Sequence, residues 1–256
     1  DKAKLLHVAR EQAIFAATHT PLSGTPYLHL SELDFLDPPK AVGANNYVRF
    51  AAQVRPHDSA VRFALGGVFA RDGHLGLAVK HWQAAFRREE ETRIRIINSV
   101  APQIPSPMFI HMFDPDTPDL GRLLVLYRES NKESDANFVA LKYAQALEND
   151  ARKYRGRASA DIWWIAQSVY GELGNKTRQI NAVSKAVDCD PNDVSKRKTL
   201  AGLYFDQEKY AQALAECEWC LKRDPNDQTI RRMARESSLR KTSLQAARRS
   251  TETTTK

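Results

Sequence analysis

The chain has 256 residues, of which 42% are hydrophobic, so it can fill one large core or two small ones. Apolar residues recur at helical spacing, and alternating β-branched runs are scarce, so the sequence predicts an all-α protein. No apolar run reaches the roughly 18 residues that a membrane-spanning helix requires. Because the chain starts at Asp1 without a signal-like segment, we interpret it as a fragment of a longer protein.

The formal net charge of +7 is concentrated at the C-terminal end. Residues 228–256 contain eight Lys or Arg against two Glu, whereas the rest of the chain is nearly neutral. A basic segment of this kind indicates either a phosphate-binding tail or a solvated cap that keeps the preceding helices soluble. No aromatic residues are interleaved for base stacking, so nucleic acid is not expected as a partner.

Residues 1–92 are predicted to form an N-terminal block of helical hairpins. Small residues before Pro21 indicate the second helix of one hairpin, and another hairpin, with a turn at Pro38-Pro39, is predicted to end at Pro56. The next hairpin has the clearest pattern, in which a small residue and later an aromatic stripe recur at helical spacing. Its pattern residues are Gly66, Phe69, Gly73, Ala78, Trp82 and Ala85.

Residues 93–156 are predicted to be an irregular helical middle section with a degenerate, longer hairpin. Helical spacing continues from residue 89 to Val100, and three prolines between positions 102 and 107 end that helix. Residues 108–113 form a short apolar segment. An acidic loop follows, and Asp119 is expected to cap the helix that begins at Leu120.

Residues 157–227 contain two copies of one pattern, 34 residues apart. Asp190-Pro-Asn-Asp193 recurs as Asp224-Pro-Asn-Asp227. A fixed period of this length is typical of stacked helical hairpins, none of which buries its apolar face alone. We expect a basic capping helix over residues 228–249 and a disordered tail over residues 250–256.

These hairpin patterns resemble the tetratricopeptide repeat (TPR) over most of the chain. The resemblance implies a right-handed α-solenoid of TPR-like helical hairpins, in which the first helix of each repeat faces a concave groove. It also implies a non-enzymatic scaffold that holds a protein or peptide there. The exposed groove positions in the strongest repeats would be Phe63, Gly67, Ala70, Arg71, Asp161, Trp164, Ser168, Glu172, Lys198, Gly202, Phe205 and Asp206.

Two alternatives stay open for the aromatic residues of this set. Phe63 and Trp164 either anchor a bound peptide or pack between neighbouring repeats. Lys198 occupies the position at which some TPR proteins clamp the terminal carboxylate of a peptide. That clamp also uses Asn four residues later, where this chain has Gly202, so the resemblance does not imply a clamp of that type.

No residue pattern predicts a catalytic, cofactor or metal site. Cys217-x-x-Cys220 has the spacing of a redox or zinc half-site, but in the repeat register both cysteines lie on a packed helix face. No His or Cys pair offers the remaining zinc ligands. The seven histidines are scattered, without metal-ligand spacing or a Ser-His-Asp grouping. We therefore expect that this chain is not an enzyme.

A second set of segments resembles the soluble repeat region of bacterial membrane proteins similar to O-antigen ligases and polymerases. The segments are residues 26–33, 54–58, 63–66 and 81–86. This resemblance implies an accessory domain of a membrane enzyme that assembles cell-surface polysaccharide. The chain would then be attached to a bacterial inner-membrane protein, whereas a free scaffold would be cytoplasmic. The ligand and the oligomeric state stay open.

Overall fold

The computed structural model describes residues 2–36 and 43–254, with side chains as far as Ser243. These residues form fourteen α-helices, and the described part of the chain contains no strand. The predicted turn at Pro38-Pro39 lies outside the described residues. The helices are α1 (Lys2–His19), α2 (Thr25–Glu32), α3 (Ala44–Val54), α4 (Ser59–Arg71), α5 (Leu75–Phe86), α6 (Glu90–Val100), α7 (Ser106–Phe113), α8 (Thr117–Glu129), α9 (Glu133–Ala151), α10 (Gly156–Glu172), α11 (Lys176–Cys189), α12 (Val194–Asp206), α13 (Tyr210–Leu221) and α14 (Gln228–Thr254).

The chain divides into two compact units, Asp1–Asp135 and Ala136–Lys256. The division falls near the start of α9, inside the middle section that interrupts the repeat pattern. Within each unit, consecutive helices pack against each other as hairpins, such as α4 with α5 and α10 with α11. The predicted all-α class, built from adjacent helical pairs, is confirmed.

A glycine allows α4 and α5 to approach closely in unit 1. A Cβ atom on Gly66 would lie 2.4 Å from Nε1 of Trp82. The same Nε1 atom donates a hydrogen bond to the carbonyl oxygen of Phe63 at 3.0 Å. The absence of a side chain at Gly66 therefore lets the Trp82 indole lie directly against the backbone of the first helix.

The part of the predicted middle section that lies in unit 1 is more helical than the sequence indicated. The short apolar segment of residues 108–113 belongs to α7, and its Phe109 is fully buried. The Phe109 ring lies 4.6 Å from the ring of Phe113 and 6.2 Å from that of Phe86, measured between centroids. This aromatic cluster connects α5 with α7 and gives the irregular segment a core of its own.

Asp116, and not Asp119 as the sequence predicted, caps helix α8. The side chain of Asp116 accepts a hydrogen bond from the backbone N–H of Asp119 at 3.0 Å. Pro118 fits the first turn, so the helix begins at Thr117, before the predicted start. Asp119 is instead a buried carboxylate whose oxygens lie 3.0 Å from Arg122 and 3.5 Å from Arg93.

The packed faces of unit 2 follow the repeat pattern. Trp163 and Tyr170 of α10 are buried, as their repeat positions require. An apolar cluster joins α11 to α12, and a second cluster joins α12 and α13 to α14. Helix α14 continues to Thr254, five residues beyond the predicted end of the capping helix at 249. The last two residues of the predicted tail lie outside the described residues.

The 34-residue echo has a local cause, because its final aspartate caps the next helix. Asp193 accepts a hydrogen bond from the N–H of Lys196, and Asp227 accepts one from the N–H of Ile230, both at 3.0 Å. Asp58 caps α4 in the same way. A capping aspartate satisfies a backbone donor that the helix itself leaves unpaired, so the repeat boundary is encoded locally.

A second contact recurs at the same boundaries, and the sequence pattern alone did not reveal it. The side chain six residues after each closing proline donates a hydrogen bond to the carbonyl oxygen of that proline. The pairs are Tyr27 with Pro21, Arg62 with Pro56, Arg197 with Pro191, and Arg231 with Pro225. Three of these four side chains are arginines and one is a tyrosine. An arginine guanidinium therefore makes the same hydrogen bond at the repeat boundary as the tyrosine hydroxyl.

The two cysteines of the Cys-x-x-Cys pattern lie in the core of unit 2. Cys217 and Cys220 are free thiols on the buried face of α13, packed with Ala201 and Ile230. Burial raises the pKa of the Cys217 thiol to about 11, so the thiol is protonated at neutral pH. Among the described residues, no group of His, Cys, Asp and Glu could hold a metal ion.

We expect native protein at pH 8 to react rapidly with Ellman's reagent at one thiol and slowly at two. Cys189 is only partly buried, whereas Cys217 and Cys220 are protonated and enclosed, and the thiolate is the reactive form. Stopped-flow absorbance measures the rates of the fast and slow phases. Cys189→Ser should remove the fast phase. In guanidinium chloride, all three thiols should react rapidly. Equal fast rates at all three thiols in native protein would contradict the packing of α13.

No helix in the described part of the chain is long and apolar enough to cross a lipid bilayer.

Candidate peptide-binding groove

A cavity of about 670 Å³ opens on unit 1 between helices α2, α3, α4, α5 and α6, and we call it the unit-1 groove. Its volume lies in the range of sites that hold small ligands or a few side chains. Apolar side chains form most of the lining, among them Leu28, Val48, Ala60, Ala64, Trp82 and Val100. The lining also contains polar side chains from these helices and from the 3-10 turn Ala101–Gln103 that follows α6, namely Ser31, Glu32, Arg71, Arg95, Ser99 and Gln103.

Helix α4 supplies the four lining residues that the sequence placed in a groove. Phe63, Gly67, Ala70 and Arg71 all line the cavity. Their spacing of four, seven and eight residues places them on one face of the helix. A Cβ atom on Gly67 would lie 3.6 Å from Nη1 of Arg71, so the arginine side chain passes beside the glycine. Because Gly67 has no side chain, it occupies no volume of the cavity that it lines.

Two arginines place positive charge in the unit-1 groove. Nη2 of Arg71 donates a hydrogen bond to the side-chain oxygen of Asn45 at 3.0 Å. The guanidinium carbon of Arg95 lies 5.4 Å from the centroid of the Phe63 ring, a cation–π contact. Arg95 also lies 3.7 Å from a carboxylate oxygen of Glu32, and both side chains are exposed. Arg95 and Glu32 were not predicted as groove residues, because they come from helices with weaker repeat patterns.

The groove positions predicted in unit 2 have a different environment. Trp164 is partly buried against the apolar cluster between α11 and α12, and Nζ of Lys196 lies 6.0 Å from its ring centroid. Phe205 packs edge-on against Tyr210, with centroids 5.6 Å apart. Trp164 thus packs between repeats, whereas Phe63 lines an open groove. The remaining predicted residues Ser168, Glu172 and Asp206 are exposed.

Lys198 is engaged by the acidic residues of the second echo. Its Nζ atom forms ion pairs with Asp227 and, at 3.9 Å, with Asp224. The hydrogen bond from Lys198, together with that from the N–H of Ile230, lowers the pKa of Asp227. These ion pairs connect α12 with the start of α14. A ligand carboxylate could bind Lys198 only by displacing Asp224 or Asp227.

We expect Lys198→Met to cost stability at neutral pH but not in strong acid. The folded-state pKa of Asp227 is lower than its unfolded value of about 3.9, so this stabilisation is complete above that value and is lost as the pH falls through the folded-state pKa. Urea unfolding followed by circular dichroism from pH 7 down to about pH 2 measures the effect. Lys222→Met, at an exposed lysine, is the control. A pH-independent loss in Lys198→Met would contradict the pairing.

Comparisons with known proteins found similarity to solved structures alone. No protein-family description and no curated protein matches the chain. The similar solved structures are TPR proteins. The TPR domain of P58(IPK) is 13% identical with a TM-score of 0.39, covering 97% of this chain and 64% of that domain. The chain therefore spans less than two thirds of that domain's length.

Two further solved structures are covered completely by the chain. YrrB, described as a TPR protein with an unusual peptide-binding site, is 13% identical with a TM-score of 0.36, covering 89% of this chain and 100% of that one. TTC0263, a thermophilic TPR protein of Thermus thermophilus, is 17% identical with a TM-score of 0.34, covering 85% and 100%.

The fold of paired helices that the TPR resemblance implies is present in the described residues. The helical pairs and the contact of Gly66 with Trp82 agree with the repeat pattern of the sequence, and aspartates cap helices at the repeat boundaries. The described residues thus form a helical-repeat fold. Nothing in the comparisons supports the resemblance to O-antigen ligases and polymerases.

Proposed function

We propose that this protein is a non-enzymatic scaffold that binds a peptide segment of another protein in the unit-1 groove. The observation that carries the proposal is the cavity of about 670 Å³, whose lining includes the four α4 residues that the repeat pattern marked for ligand contact. A concave, mostly apolar site with a few polar groups is the usual form of a ligand site.

The lining indicates how a peptide would be held. The half-buried ring of Phe63 and the indole of Trp82 both line the groove, where an apolar side chain of the ligand would displace water. Aromatic residues in the centre of an interface carry a large share of binding free energy. The polar groups of the rim would fix the orientation of the peptide backbone and side chains.

The unit-2 residues stay a predicted second contact surface. Ser168, Glu172 and Asp206 are exposed, and Phe205 is half-buried. Lys198 is committed to the internal ion pairs with Asp224 and Asp227. We therefore assign the principal binding role to the unit-1 groove, and we treat the unit-2 residues as the matched control in the experiment that follows.

The test uses a random peptide library displayed on phage, selected against the whole chain. Peptides that are enriched are synthesised with a fluorophore, and their Kd is measured by fluorescence anisotropy. We expect Phe63→Ala to weaken binding by about tenfold or more, since it removes a central aromatic contact. Gly67→Leu should abolish binding by filling the groove. Phe205→Ala in unit 2 should leave the Kd unchanged.

Two results would contradict the proposed groove. One is a selection that enriches no peptide above an unrelated bait protein. The other is a set of peptides that bind Gly67→Leu and Phe63→Ala as tightly as the wild type. The circular dichroism spectrum and the urea midpoint of each variant show whether it is folded, so a loss of binding through unfolding is recognised.

A further inference from the structure

We propose that the unit-1 groove selects peptides in which a carboxylate stands beside an apolar side chain, and that Glu32 competes with the peptide for Arg95. This inference rests on the proposed function and adds the chemistry of the ligand. Four side chains carry it, namely Phe63, Arg71, Arg95 and Glu32, which all line the same cavity.

The first step concerns the charge of Arg71. The hydrogen bond that this guanidinium donates goes to the amide oxygen of Asn45, a neutral acceptor. Arginine stays protonated at all physiological pH values and has five N–H donors in a planar fork. Arg71 therefore adds positive charge to the lining of the groove and has N–H donors beyond the one that Asn45 accepts, and a carboxylate is the group that matches this fork in charge and geometry.

The second step concerns the ion pair of Arg95 with Glu32. The two charged groups are 3.7 Å apart, which is longer than a hydrogen bond, and their side chains are 47% and 60% exposed. Exposed ion pairs contribute little to stability, so a ligand carboxylate can replace Glu32 at low cost. Glu32 also lies 3.7 Å from Nδ1 of His29 on the same helix.

The third step explains why the carboxylate should stand beside an apolar side chain. The contact of Arg95 with the Phe63 ring places the guanidinium over an aromatic ring of the groove lining, and this contact does not involve Glu32. An arginine placed in advance loses little conformational freedom on binding, which favours affinity. A peptide whose apolar side chain packs beside Phe63 therefore places a carboxylate on an adjacent residue near Arg95.

The experiment compares each library-selected peptide with an amide version of the same sequence. In the amide version every Asp and Glu is replaced by Asn and Gln, and a third version amidates only the C-terminus, which separates terminal from side-chain carboxylates. We expect the carboxylate peptide to bind wild-type protein about tenfold tighter than the full amide version. The difference should shrink as the salt concentration rises, because screening weakens exposed charge pairs.

Protein variants assign this preference to the named residues. Arg71→Gln and Arg95→Gln should each weaken the carboxylate peptide several-fold and leave the amide peptide nearly unchanged. Glu32→Gln should tighten the carboxylate peptide several-fold, because it removes the internal competitor. Arg49→Gln is the matched control, since Arg49 is an exposed arginine on α3 that pairs with Asp72 and does not belong to the cavity lining.

The outcomes separate this inference from the function on which it rests. Peptides that bind the groove, as shown by loss on Gly67→Leu, but bind equally well in the amide version would overturn the carboxylate preference and leave the groove intact. If the Glu32→Gln variant binds the carboxylate peptide no tighter than the wild type does, Glu32 does not compete with the peptide for Arg95. The failure of every peptide to bind would overturn the proposed function itself.

Discussion

Phe109→Ala is expected to destabilise the protein by about 4 kcal/mol. The Phe109 side chain is fully buried and contacts the rings of Phe86 and Phe113, so alanine would leave a cavity within the aromatic cluster of α5 and α7. The lost apolar contacts and the cavity both disfavour the folded state. Urea unfolding followed by circular dichroism at 222 nm measures the change in the free energy of unfolding.

The adjacent residue provides the control for Phe109. Met108 lies on the same helix, and its side chain is 52% exposed. Met108→Ala should change the free energy of unfolding by less than about 0.5 kcal/mol, the range of ordinary surface substitutions. Similar effects of the two substitutions would show that α7 does not pack by the face that contains Phe109.

Gly66→Ala is expected to destabilise the protein by about 2 kcal/mol, even though alanine is the better helix former. The added Cβ would lie 2.4 Å from Nε1 and 2.5 Å from Cδ1 of Trp82. The indole is held by its hydrogen bond to Phe63, so either this bond breaks or α4 and α5 separate. Because Trp82 also lines the unit-1 groove, peptide binding should weaken in parallel with stability.

Gly67→Ala is the matched control, one residue along the same helix. Its added Cβ would meet only Nη1 of Arg71, at an ordinary contact distance of 3.6 Å. We expect this variant to be as stable as the wild type or more stable by up to about 1 kcal/mol, from helix propensity alone. Equal stability of the Gly66→Ala and Gly67→Ala variants would contradict the close approach of α4 and α5. Urea unfolding gives both values.

Helix boundaries at the clear repeats could be predicted from the sequence because their signals are local. Asp58, Asp193 and Asp227 each precede an apolar pattern and cap the helix that follows, within three residues of their own position. The turns at Gly73 and Gly174 have positive φ angles of 81° and 69°, conformations that glycine adopts without strain. Such features depend on a few neighbouring residues and not on the tertiary arrangement.

The middle section could not be predicted as well, because its elements are short. An apolar stretch of six residues has too few positions to distinguish a buried helix from a strand by periodicity. Two local signals for α7 were nevertheless present. Pro107 stands in the first turn, and Asp114 ends the helix in the left-handed conformation with φ of 47°. The choice of Asp116 over Asp119 as a cap followed from Pro118, which lies in the first turn of a helix that begins at Thr117.

The candidate site was predicted in part, for a similar physical reason. Phe63 and Arg71 belong to one helix with a clear repeat pattern, so their shared face follows from helical periodicity. Arg95 and Glu32 reach the same cavity from helices α6 and α2, and their meeting depends on how three hairpins pack. Trp164 has the same repeat position type as the groove residues, but the cluster between α11 and α12 covers it in part.

The central claim is that a peptide binds in the unit-1 groove. Its most direct test is an NMR titration of the isotope-labelled whole chain with a library-selected peptide. The proposed groove predicts that amide shift changes concentrate on residues of α2, α4 and α6 that line the cavity, including Glu32, Phe63, Gly67, Arg71 and Arg95. The same titration of the Gly67→Leu variant should show no such changes. Shift changes concentrated on α10 and α12, with the residues of the unit-1 groove unaffected, would contradict the claim.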